Sequence, residues 1–210
     1  MKLSLPLENI LSPAYGPCPE FANACKEMRW NPDAGHVPRG FLGACGEPSE
    51  VELILVFAEP GDPHLGERHS GLASAYDYAV MAFRTGKDQF HRNVRSILDA
   101  CWPSVPFEVQ LRKVWLTESV LCSALTEGGR VGRSASSACG RRYLAAQLAL
   151  FPQALIVALG GKARDRLHSL GIFGFLPVWS VAPPGCNNPE ASESWKRIPI
   201  EIDRRRAASH

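Results

Sequence analysis

Four cysteines stand as two distant pairs, Cys18 with Cys25 and Cys122 with Cys139. Thiolates are soft ligands, and two pairs on separate loops can staple those loops through one metal centre. Two carboxylates stand out for a different reason. Glu59 closes the apolar run 53–58, and Glu118 interrupts the apolar run 114–121. A carboxylate in such a place is costly unless it has a partner or a task. The tasks open to it are proton transfer and the stabilisation of developing charge; the alternative is a structural tie to loop amides. Asp62, His64 and His69 follow Glu59 in the next stretch of chain. Asp62 can equally serve the turn ahead of Pro63, and a loop histidine can simply be solvated.

The elements that must position these groups are legible from periodicity. Runs 53–58, 114–121 and 154–159 are continuous and β-rich, the pattern of parallel strands buried on both faces. A weaker fourth run covers 176–181. Between them, Phe90, Val94, Ile97, Leu98 and Cys101 recur at helical spacing, with Arg92, Asn93, Arg95 and Asp99 outward. Pro103 and Pro106 then break the pattern. Ser136 or Ser137 can cap a helix carrying Leu144, Leu148 and Phe151. Gly160 and Gly161 open a helix over 162–170 that stops at Gly171. Alternating strands and helices predict the α/β class: one three-layer α/β/α domain, 1–210, around a central, mainly parallel four-stranded sheet. Residues 1–50 read as an irregular segment that a metal centre would anchor, 182–194 as an ordered loop, and 200–210 as a basic tail. In open α/β sheets ligands bind beyond the carboxyl ends of the strands, which directs Glu59 and Glu118 toward one crevice.

Composition narrows the classes. Forty-five per cent hydrophobic and 21% charged residues are ordinary for a globular domain. No apolar run reaches the length of a membrane span. Residues 1–11 lack both a basic region and a long apolar stretch, so the expectation is a cytoplasmic protein with no secretory signal. Its seven cysteines are then better read as metal ligands and buried thiols than as disulfides. A formal net charge of +2 is too small to argue for nucleic acid by itself. Any such affinity must come from local clusters: Arg130 with Arg133, Arg141 with Arg142, Lys162 with Arg164 and Arg166, or Arg204 to Arg206. Each cluster alone can also be a solvated face. Neither a G-x-S-x-G elbow nor an H-E-x-x-H pair occurs, which counts against a serine hydrolase or a zinc protease.

The order of these features resembles the uracil-DNA glycosylase superfamily, especially its iron–sulfur branches, from Cys18 to Trp195. Residues 53–61, LILVFAEPG, are similar to the first motif, an apolar strand ending in a Pro-Gly turn. Residues 114–122, VWLTESVLC, resemble the strand that ends in T-N-x-x-x-C. Residues 139–160 run from a cysteine through a helix to a strand closing on A-L-G, as in the family. Residues 181–189, VAPPGCNNP, stand at the second motif. The resemblance implies a DNA glycosylase of base excision repair, acting on DNA; a monomer is expected separately, since no excess of exposed apolar patterning is evident. The resemblance further implies a [4Fe–4S] cluster on Cys18, Cys25, Cys122 and Cys139, with zinc on the same sulfurs as the rival. The six-residue gap between Cys18 and Cys25 departs from the family's C-x-x-C, and Cys45 is a substitute ligand on that ground.

The resemblance also assigns roles. The target base leaves the stack and enters a pocket. Glu59 takes the water or sugar role, although the iron–sulfur branch usually has its acid one residue earlier, where this chain has Ala58. Asp62 stands in reserve, and His64 is a neighbouring donor. Gly61 replaces a bulky tyrosine of the uracil-strict branch, which predicts an open pocket and tolerance of larger bases. Two departures follow. Glu118 stands where the family reads the base with Asn; an ionised Glu only accepts, and a neutral one can donate if burial raises its pKa. Ala182 stands where the family has a histidine, which His64 or His69 would replace. His69 or Tyr76 would stack on the base. Pro184, Asn187 and Asn188 would reach the minor groove, and Lys162, Arg164, Arg130 and Arg133 the phosphates. The departures at Glu118 and Ala182 motivate a second expectation, a member that binds nucleic acid without excising a base.

Overall fold

A computed structural model describes residues 3–208. Helix α1 (Leu5–Leu11) buries Leu7 and Leu11. It is followed by turns and two minimal strands, β1 (Met28–Arg29) and β2 (Leu42–Gly43). Strand β3 (Leu53–Phe57) is buried at every position. Helices α2 (Leu72–Thr85), α3 (Gln89–Cys101) and α4 (Phe107–Lys113) lead into β4 (Val114–Glu118) and β5 (Ser123–Ala124). Helix α5 (Arg133–Cys139) passes through a wide turn at Gly140–Leu144 into α6 (Ala145–Ala149). Strand β6 (Leu155–Leu159), α7 (Gly161–Ser169), β7 (Leu176–Val178), α8 (Ala191–Trp195) and α9 (Arg197–Ala208) complete the described chain.

The fold is mixed α/β around a mainly parallel sheet in the order β2-β4-β3-β6-β7. Strands β4, β3, β6 and β7 run parallel, and β2 pairs antiparallel with β4, Leu42 opposite Leu116. The sheet therefore has five strands, not the four that the sequence pattern predicts. The parallel four are the patterned runs, whereas β2 is two residues long and carries no periodic signal. Gly43 shows why it exists at all. Its φ is +104°, and a Cβ there would lie 2.0 Å from the Val114 carbonyl oxygen. Gly43→Ala is therefore expected to destabilise the fold by about 2 kcal/mol or more, through strain and loss of the β2–β4 contact, measurable as a lowered denaturation midpoint.

Helix α3 forms as its spacing predicts. Asp88 caps it by accepting from the His91 backbone N–H at 3.0 Å. Val94, Ile97, Leu98 and Cys101 are buried, and the helix ends before Pro103. Asn93 is not simply outward: its amide donates to the Val181 carbonyl at 2.9 Å, tying α3 to the segment after β7. The helix expected from Ser136 or Ser137 begins earlier, at Arg133 with Gly132 before it, because the serines are tolerated inside the first turns. The region 200–210 is not a loose tail over its described part. Helix α9 buries Ile198 and Ile202, and Arg206 pairs with Glu52 at 2.5 Å. Two apolar residues four apart anchor the helix while its basic face stays solvated.

Candidate active site

The carboxyl ends of β3, β4 and β6 open into a cavity of about 770 Å³. Its wall takes Phe57 to Asp62 from the turn after β3, Glu118 from the end of β4, Leu159 from β6, and Ser180 to Pro184 from the segment after β7. The first turn of α3 and one face of α2 close the remaining side. A parallel sheet forces this convergence, since every strand ends at the same edge.

Two carboxylates meet here in opposite environments. Glu118 is 4% exposed, and its Oε2 has no hydrogen-bond partner among the described residues. Burial pushes its pKa well above the carboxylate range, and the neighbouring Glu59 pushes it further; Arg166 and Arg39 oppose this. Burial and the Glu59 charge thus both favour the neutral acid form of Glu118. Gly40, at φ +85°, makes room for it: a Cβ there would lie 2.6 Å from Glu118 Oε1. Glu59 is instead ion-paired on both oxygens. Lys162 holds Oε1, and the Arg166 guanidinium lies 2.5 Å from Oε2. The second contact is an ion pair without hydrogen-bond geometry, because Oε2 has no directed donor. Arg166 also donates to the Ala58 carbonyl at 2.6 Å and to Ser119 Oγ at 3.0 Å.

A third carboxylate, Glu67, supports the cavity from below. Burial would raise its pKa, but hydrogen bonds from His69, the His64 backbone and Tyr78, with the charge of Arg39, bring it down to about 2. His69 Nε2 lies 2.8 Å from Glu67 Oε1 and Arg39 Nε lies 3.5 Å from it, all nearly sealed from solvent. Arg39 continues the network to the Gly61 carbonyl and to Ser123 Oγ at 3.2 Å. Removing the charge with Glu67→Gln leaves Arg39 buried without its counter-ion, which is expected to cost about 3–5 kcal/mol. The sign of the pH dependence follows from the lowered pKa. This carboxylate's contribution is present above its ordinary 4.5 and is lost as pH falls through about 2. Denaturation midpoints of both proteins against pH measure it: the gap between them closes on the acid side.

The predicted residues divide accordingly. Glu59, Gly61, Asp62, His64, Glu118, Ala182, Pro184 and Asn187 all line the cavity. Asp62 is also ion-paired to Arg29 at 2.9 Å, and His64 Nε2 lies 3.4 Å from Asp88 Oδ2. Gly61 does not leave empty space, since a Cβ there would lie 2.7 Å from the flexible Glu127 carboxylate. His69 is absorbed by Glu67. The Tyr76 hydroxyl donates to the Gly43 carbonyl at 3.0 Å within the core. Neither ring forms the cavity wall, where Phe57 and Phe90 stand edge to face at 5.0 Å instead. Asn188 accepts from the Glu190 N–H at 2.8 Å ahead of α8. Lys162 is committed to Glu59 and to the Gly128 and Gly129 carbonyls, and Arg164 pairs with its neighbour Asp165 at 2.9 Å. Arg130 and Arg133 are exposed. Sequence reasoning missed Arg39, Glu67, Asp88 and His91 as site residues, and placed Arg166 in a basic cluster rather than beside Glu59. Only the Asp88-x-x-His91 capping pattern carried a local signal for any of them.

The four cysteines converge on a second, small pocket with Met28, Leu121 and Tyr143 among its walls. All are free thiols. Burial raises the Cys25 pKa to about 11 and the Cys139 pKa to about 12. Cys122 is raised by burial and then by the other three sulfurs. Tyr143 donates to Cys18 Sγ at 3.2 Å, and the Leu121 N–H donates to Cys139 Sγ at 3.4 Å. Such donors suit thiolates held by a metal centre. Among the described residues no three His, Cys, Asp or Glu stand in the arrangement of a single-ion site. Cys45 lies elsewhere, 3.0 Å from the Tyr76 hydroxyl. Compared with protein-family models and with characterised proteins, the chain matches none.

Proposed function

We propose that the protein is a DNA glycosylase, which draws a deaminated or damaged base into the cavity and hydrolyses its N-glycosidic bond. The observation that carries this reading is the pair of carboxylates in one cavity. Glu118 keeps its proton and Glu59 is held between two cations. A carboxylic acid whose pKa burial raises, beside a carboxylate held by two cations, offers an acid and its complement. Breaking the bond leaves negative charge on the base and positive charge on the sugar. Glu118 gives its proton to the leaving base, and the fixed Glu59 carboxylate faces the sugar while its charge keeps Glu118 protonated. Phe57 and Phe90 offer aromatic surface to the flipped base. Pro184 and Asn187 at the cavity mouth, with exposed Arg130 and Arg133, serve the DNA backbone and groove.

In this reading Cys18, Cys25, Cys122 and Cys139 hold a [4Fe–4S] cluster, which when bound ties the N-terminal segment to the end of β4. The helices cover both faces of the sheet in one three-layer domain, and the protein works as a cytoplasmic monomer on DNA. Among the described residues no helix is long and apolar enough to cross a membrane.

The test is strand cleavage by alkali after incubation with oligonucleotides carrying uracil, hypoxanthine, xanthine or thymine opposite guanine. Abasic sites on any of them support the reading. DNA binding with no product on any base favours the second reading, nucleic-acid binding without excision. Its motivating observation is that both Glu59 oxygens are already occupied by Lys162 and Arg166.

A further inference from the structure

The occupied Glu59 leaves hydrolysis without an obvious group to take a proton from water. The first turn of α3 supplies one. Asp88, Gln89, Phe90 and His91 all line the cavity. His91 Nδ1 lies 2.8 Å from Asp88 Oδ1. A carboxylate can only accept, so Nδ1 carries the hydrogen and Nε2 presents a lone pair. Among the described residues nothing partners Nε2. The same Asp88 oxygen accepts from the His91 backbone N–H at 3.0 Å, so cap and side chain are fixed together. The Phe83 and Phe90 rings stand edge-on to the imidazole at 4.6 and 5.2 Å, which limits its rotation.

We propose that His91 is the general base of the reaction and Asp88 the residue that positions it, an assignment that rests on the glycosylase reading. Water bonds through its oxygen to C1′ as the C1′–N bond breaks and the bonding pair passes to the base. Nε2 takes one water proton, and Glu118 gives its proton to the base. The products are a neutral free base and a sugar hydroxyl, and the proton on His91 returns to Glu118 through solvent. The task requires a neutral imidazole. The titratable groups that face His91 are Asp88, His64 and Lys87. Burial lowers its pKa below the ordinary 6.5, and Asp88 offsets this only in part while His64 and Lys87 add to it.

Single-turnover excision against pH decides the matter. His91→Gln is expected to slow excision by roughly 10²–10⁴-fold, with unchanged affinity for an oligonucleotide carrying an abasic-site analogue. The wild-type rate should fall on the acid side of pH 6.5, and His91→Gln should lose that limb. Asp88→Asn preserves the helix cap and should move the limb to lower pH, since Asp88 holds the imidazole pKa up. Added imidazole should restore excision in His91→Ala, a readout that only a folded protein can give. Excision by His91→Gln at the wild-type rate with the acid limb intact overturns this assignment alone. No excision by the wild-type protein on any base overturns the glycosylase reading and this assignment with it.

Discussion

Glu118→Gln is expected to slow base excision by roughly 10²–10⁴-fold and, in the same protein, to raise stability at neutral pH. Glutamine keeps the volume and an N–H donor but has no proton to transfer. The stability gain follows from the sign of the shift. Burial and the Glu59 charge lift the folded-state pKa of Glu118 well above its ordinary 4.5. The folded protein therefore holds a proton that the unfolded chain releases. That proton favours folding fully below pH 4.5, and the advantage is lost as pH rises through the folded value. Wild-type midpoints should decline across that window on this group's account, and those of Glu118→Gln should not. Excision at the wild-type rate by the glutamine protein would mean that a donated hydrogen bond suffices, and the acid role would fall. Activity lost without a gain in stability would mean that Glu118 is ionised in the fold.

Cys139→Ser is expected to be the most damaging single change to the architecture. Cys139 ends α5, accepts from the Leu121 N–H, and faces Cys18, Cys25 and Cys122 across one small pocket. If the four thiols hold a cluster, its binding free energy is folding free energy, on the order of 10 kcal/mol by analogy with structural metal sites. The variant should lose iron and sulfide, and residues 12–30 should become sensitive to protease before the sheet does. Purified wild-type protein that is colourless and carries zinc would put zinc in the cluster's place. A Cys139→Ser protein with its iron and its protease resistance intact would remove Cys139 from the ligand set.

The parallel strands and α3 were legible because burial on both faces and helical spacing leave strong local patterns. Glu59 and Glu118 were legible because a carboxylate beside an apolar run demands explanation. Strand β2 was not, since two residues carry no period. The roles of Arg39 and Glu67 were not either. Each gains its meaning from a partner 28 residues away, Arg39 from Glu67, and no local rule pairs them. His69 misled for a different reason: its near neighbour Glu67, two residues back, holds it away from the cavity. Lys162 read as a phosphate contact because it stands in a basic cluster with Arg164 and Arg166, yet Glu59 lies 103 residues away in sequence and claims it in space.

The Tyr143 hydroxyl that donates to Cys18 Sγ spans 125 residues of sequence. At the pace of synthesis, about 5–20 residues per second, the thiol emerges roughly 6–25 s before its partner exists. Met28 likewise waits for Ala124, and Leu42 for Leu116. The segment carrying Cys18, Met28 and Leu42 is therefore made before the partners that hold it and is among the last to fold. Cys18 and Cys25 spend that interval as bare thiols on an open chain. Whatever reaches them then, whether oxidant, stray metal or a delivered cluster, acts before the structure has closed over them.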